Sequence, residues 1–141
     1  MSKTDVFWKN YIPAPELKAI EEGLDGEEGK YFQDLLKNLR ARIEQIPRLY
    51  ETEHEGKTAI ARLHYFAGGT DIFITELNPE TGEAFGYTCL NGDRENAELG
   101  YISLPELVSI DIMQLDLHFD DNITIQDIIR NYGPQSQKST N

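Results

Sequence analysis

His54, His64 and His118 are the residues of this chain best suited to proton transfer or metal binding, and acids surround two of them. Glu53 and Glu55 flank His54, while Asp116 and Asp120 bracket His118. An imidazole oriented by a carboxylate is the pairing that general-base and metal sites use. His64, His118 and Glu76 therefore define a two-histidine, one-carboxylate set, which a small metal-dependent hydrolase would need on adjacent strands. No HExxH helix or His-x-His spacing accompanies it. Cys89 lies among Thr88, Leu90 and other strand residues, with no base beside it, and reads as core and not as a nucleophile. Gly68-Gly69 lacks the lysine and helix of a phosphate loop and reads as a turn. Glu76 and Glu98 can be drawn as a carboxylate pair, but without a companion pocket they read as ion-pair partners or a solvent-facing row. The expectation is no catalytic residue, no metal and no cofactor.

The elements that must position these groups follow from hydrophobic period. Phe32, Leu35, Leu36, Leu39, Ile43 and Ile46 fall three or four apart, with Lys37, Arg40, Arg42 and Glu44 between them, so residues 31–46 predict an amphipathic helix that Pro47 ends. Residues 58–66, 70–77, 83–90 and 97–103 are rich in β-branched and aromatic types and predict four strands. Turn compositions separate them, among them Asn78-Pro79-Glu80-Thr81-Gly82, and connections this short allow only antiparallel neighbours. Residues 113–119 read as a fifth, edge-like strand. Ser103 with Glu106, and Thr124 with Asp127, are capping signals for short helices near 104–110 and 124–132, the second ending at Gly133. The fold class is α+β: a four- to five-stranded antiparallel meander packed by an N-terminal amphipathic helix, with short C-terminal helices. Residues 1–29, broken by prolines and glycines, read as a loosely held arm with a short helix over 15–22. Residues 30–133 read as a single α+β domain, and 134–141 as a disordered tail.

Gly-Tyr occurs twice within the strands, at Gly86-Tyr87 and Gly100-Tyr101. Alternation puts Phe85, Tyr87 and Cys89 on one face with Leu99 and Tyr101, leaving Gly86 and Gly100 together on the other. Room for the amphipathic helix is the expected use of that gap, with a bulge or twist device and a shallow ligand groove as the alternatives.

The chain has 141 residues and a net charge of −12, unevenly spread. Residues 1–30 carry 4 bases and 7 acids, 31–62 carry 6 and 5, and 63–141 carry 3 and 13. Phosphate binding needs clustered Lys and Arg, and the last segment offers only Arg94, Arg130 and Lys138, so direct nucleic-acid binding is not expected. An acidic surface instead attracts basic proteins, including those that bind DNA. Its candidate residues are Glu95, Glu98, Asp111, Asp116, Asp120, Asp121 and Asp127. One cysteine cannot form an intramolecular disulfide, and no apolar run approaches the roughly 18 residues of a membrane span. A cytoplasmic protein without membrane contact is expected.

The run from Leu36 to Glu53, the strand ending Ile74-Thr75-Glu76-Leu77, the segment Glu98-Leu99-Gly100-Tyr101-Ile102-Ser103-Leu104-Pro105-Glu106-Leu107, and Asp116-Leu117-His118-Phe119 together resemble the domain-of-unknown-function family 2958. The resemblance spans residues 36–129, and ELGY-x-SL-x-EL is its most specific stretch. Two departures accompany it: residues 1–29 are extra, and the linker at 108–115 is short. The resemblance implies a small accessory protein of plasmids, integrative elements and phages, and it implies no biochemical activity. The expectation is thus a non-enzymatic acidic module that binds a basic partner and antagonises host DNA-handling or defence proteins in the manner of a DNA mimic. A metal-dependent hydrolase using His64 and His118 is the rival, and a peptide-binding module in plasmid transfer or replication is the third reading.

Overall fold

A computed structural model describes residues 7–132 of the chain. The helices are α1 (Ala14–Gly23), α2 (Gly29–Glu44), α3 (Leu104–Val108) and α4 (Ile125–Tyr132). The strands are β1 (Leu63–Ala67), β2 (Thr70–Leu77), β3 (Glu83–Cys89), β4 (Glu98–Ser103) and β5 (Gln114–Leu115). All pairings are antiparallel, in the order β4-β3-β2-β1-β5. The α+β class expected from the sequence is the observed one. The first four strands form the meander, and the fifth crosses back by way of α3 to pair with β1 at the opposite edge, so β4 and β5 are the two outer strands.

Helices lie on both faces of the sheet, which explains why the last six residues of β2 are all buried. On one face Leu63, Tyr65, Ile72, Ile74 and Leu77 join Leu35, Leu39 and Ile43 of α2, together with Trp8, Tyr11, Ile12 and Ile20 from the N-terminal segment. On the other, Ala61, Phe73 and Tyr87 meet Ile125 and Ile128 of α4. Both C-terminal helices start on the expected caps. The Ser103 hydroxyl accepts from the Glu106 N–H, while Thr124 and Asp127 bond reciprocally.

Four expectations need correction. Residues 7–29 are no loose arm: Trp8, Tyr11, Ile12 and Ile20 are 2–5% exposed. The buried Tyr65 hydroxyl donates to the Tyr11 carbonyl, and the Leu115 N–H donates to the Glu16 carboxylate at 2.6 Å. Glycine and proline marked the turns of this segment correctly, but they concealed its apolar contribution. The first strand begins at Leu63 and not at residue 58, because Glu53–Thr58 is a 3-10 turn and Ile60 makes only an isolated bridge to Thr124. The fifth strand shrinks to two residues.

The fourth correction concerns the glycines. Gly86 and Gly100 are direct cross-strand partners on the face predicted for them, yet no helix occupies both positions. A Cβ on Gly86 would fall 2.0 Å from the Phe73 carbonyl oxygen of β2, whereas one on Gly100 would meet nothing within 4 Å. The β2–β3 register shifts between Ile74 and Glu76, immediately beside Gly86. Of the three uses open from sequence, Gly86 serves the bulge. The end proposed for the last helix at Gly133, and the tail 134–141, lie outside the described residues.

Candidate functional site

The β2 bulge turns Thr75 and Glu76 inward together, at 1% and 3% exposure. A carboxylate at such depth requires donors, since burying it bare is costly. The loop between α2 and β1 supplies them: Tyr50 N–H donates to Glu76 Oε1 at 2.9 Å, and Thr52 donates to Oε2 from its N–H at 2.7 Å and its hydroxyl at 2.5 Å. Tyr50 sits at φ 74°, a left-handed conformation unusual for a tyrosine, and Glu76 holds its backbone there. Glu76 is thus a buried loop anchor, neither a member of a solvent-facing row nor a partner of Glu98, which is exposed at the start of β4.

Between this loop and the β3–β4 surface lies a cavity of about 150 Å³. Tyr50, Phe85, Leu99 and Tyr101 give it aromatic and apolar walls, with Glu76 and Glu53 as its acids. Tyr101 packs edge-on against Phe85, ring centroids 5.1 Å apart, and at 6.4 Å from Tyr50. A hydrogen bond with the Tyr50 side chain, with lesser contributions that include Glu53 and Glu76, holds the Tyr101 phenol up at about 12. Sequence alternation put Phe85, Leu99 and Tyr101 on one face, but only the bulge brings Glu76 to them. Gly86 was the one sign of a bulge in the strand pattern and did not say which strand carries it, and Tyr50 had no periodic signal at all.

His64 occupies a second polar centre on the α4 face. Its Nε2 is 2.8 Å from Asp71 Oδ1 and its Nδ1 3.1 Å from Asp116 Oδ2, and the ring stacks on Phe73 at 4.4 Å. Arg94 faces the other oxygen of Asp71 at 3.5 Å. With a carboxylate against each ring nitrogen, His64 turns neither of them toward a substrate, and the cluster ties β1, β2 and the segment after β5 together. The His118 ring turns to the Tyr31 hydroxyl of α2 at 2.9 Å, and the backbone N–H of His118 donates to Asp116 Oδ1. The side chains of His64, His118 and Glu76 therefore do not converge: the two histidines share only Asp116, and Glu76 bonds Tyr50 and Thr52. Among the described residues no group of three or more His, Cys, Asp or Glu is placed to hold a metal. His54 is exposed and Cys89 is fully buried.

The acidic candidates are spread over five segments. Glu95 and Glu98 are exposed at the β3–β4 connection, Asp111 is exposed after α3, and Asp120 and Asp121 precede α4. Asp116 and Asp127 serve the fold, one through His64 and the other through the Thr124 cap and Arg130. No described helix is long and apolar enough to cross a membrane. Comparison with family models, curated proteins and solved structures gave no match.

Proposed function

We propose that the chain is a non-enzymatic binding module that engages a basic protein partner through the acidic surface of its C-terminal half. One observation carries the reading. Between residues 63 and 132 there are 13 acids and 2 bases, and both bases face acids of the same chain, Arg94 against Asp71 at 3.5 Å and Arg130 against Asp127 at 3.8 Å. Glu95, Glu98, Asp111 and Asp120 stand exposed, so the outward field of this half is negative and attracts cationic surfaces. The resemblance to family 2958, which no family-model match accompanies, supplies a setting in mobile DNA. In that setting the basic partner is a host nuclease or DNA-handling protein of the cytoplasm, and the acidic surface stands in for duplex phosphate. The hydrolase reading draws no support from His64, whose two nitrogens are both engaged.

The test is capture from a bacterial lysate at low and high salt, followed by elution with duplex DNA. Wild type is compared with a Glu95→Gln, Asp120→Asn, Asp121→Asn variant. Proteins held by wild type at low salt, lost in the variant and released by DNA are the expected result. An identical set in every condition overturns the reading.

A further inference from the structure

Tyr50 and Tyr101 are 60% and 56% exposed, two large neighbouring rings left facing water in the wall of one cavity. Aromatic faces carry negative electrostatic potential, and these two are tilted 60° to each other with centroids 6.4 Å apart. Glu76 lies buried at the same cavity and Glu53 is exposed beside it, while no Lys, Arg or His lines it. Ring faces and carboxylates together make a site for a cation and against an anion. Its volume of about 150 Å³ equals about five water molecules at roughly 30 Å³ each, room for a small planar cation.

We propose that this cavity receives the guanidinium of an arginine side chain presented by the basic partner. The inference rests on the proposed function in taking a basic protein as its occupant, but it names a separate place on the molecule. Arginine fits better than lysine because its planar, weakly hydrated head stacks on tyrosine faces and forks onto a carboxylate. Glu76 already accepts three hydrogen bonds and contributes charge, so Glu53 is the acid free to bond the guanidinium. The Glu76 anchor also fixes Tyr50 before binding, which lowers the ordering cost of the wall it forms.

The test titrates the peptide acetyl-Gly-Arg-Gly-amide, and its isosteric citrulline counterpart, into the full chain while the tyrosine ring resonances are followed by NMR. Saturable shifts at Tyr50 and Tyr101 with the arginine peptide are expected, with the neutral citrulline peptide about tenfold weaker or more. Tyr101→Leu weakens binding about fivefold, and Tyr101→Phe, which keeps the ring, stays within about twofold of wild type. Tyr101 is exposed, so neither change opens the core. Equal binding of the two peptides, or unchanged affinity in Tyr101→Leu, overturns the proposal. The Glu95→Gln, Asp120→Asn, Asp121→Asn variant separates the two readings: it keeps the peptide's affinity if the cavity is the site, whatever the lysate capture shows. Equal loss in that variant and in Tyr101→Leu means diffuse charge attraction and also overturns the cavity.

Discussion

Glu76 carries out at the residue scale a task that its sequence neighbourhood hides, closing a loop by accepting hydrogen bonds from two backbone N–H groups and a hydroxyl inside the protein. Glu76→Ala leaves those donors unmatched, and each buried orphan costs about 1–3 kcal/mol. The expected loss in denaturant unfolding is about 2 kcal/mol or more. Glu76→Gln should lose less, because its amide oxygen still accepts while its NH₂ opposes the other donors; equal losses in the two variants would refute the anchor role. Glu16 makes a different kind of statement. Burial, aided by the charge of Asp116, raises its carboxyl above the ordinary 4.5 despite the bond from the Leu115 N–H. A carboxyl raised in the folded state holds its proton longer than in the unfolded chain, so stability falls as pH climbs from the ordinary value through the folded one. Relative to Glu16→Gln, wild type should therefore unfold at progressively lower denaturant as pH rises from the ordinary 4.5 through the raised folded value. A pH-independent difference between the two would contradict the shift.

At the scale of elements, the paired glycines separate what alternation can read from what it cannot. Period two fixes which residues share a face, and Gly86 does oppose Gly100. It does not report where a neighbouring strand bulges, and the bulge in β2 is what brings the Phe73 carbonyl within 2.0 Å of a Cβ at Gly86. The two positions should consequently behave differently. Gly86→Ala forces strand backbone to move and costs roughly 1–3 kcal/mol, as overpacking does, while Gly100→Ala meets open space and is neutral or stabilising by up to about 1 kcal/mol. Thermal midpoints of the two variants check this, and equal destabilisation would restore the helix-packing account. The same reasoning explains which other parts were legible. α2, the four meander strands and both capping boxes carry local signals of period and spacing. The return of β5 to β1, the loop held by Glu76 and the burial of the N-terminal segment depend on contacts far apart in sequence, such as Leu115 with Glu16. Of the candidate site, the shared face of Phe85, Leu99 and Tyr101 was readable, and the acid and second tyrosine that complete it were not.

For the whole molecule the decisive question is whether residues 7–29 belong to the fold, since a detachable arm and a core segment have opposite consequences for any truncated form. The first reading came from prolines at 13 and 15 and from the acidic glycine-rich run that follows. Proline, however, sits comfortably at the start of α1, and the run Gly23–Gly29 serves as the turn between α1 and α2. Trp8, Tyr11, Ile12 and Ile20 then fill the α2 face of the sheet. At about 1.5–3 kcal/mol for each large buried side chain, these four represent about 6–12 kcal/mol, comparable to the whole stability of about 5–15 kcal/mol typical of a domain. Even if compactness of the unfolded chain reduces that figure by about 10–40%, the remainder is too large for the rest of the fold to lose. A chain starting at residue 25 should accordingly show no cooperative urea transition and little near-ultraviolet circular dichroism from its tyrosines, while the full chain shows both. The single change Trp8→Ala, which removes one anchor and leaves the others, should lower stability by about 3–5 kcal/mol with the transition still cooperative. A truncated chain that unfolds with the midpoint and slope of the full one would return residues 7–24 to the status of an arm and free Trp8 and Tyr11 for a partner.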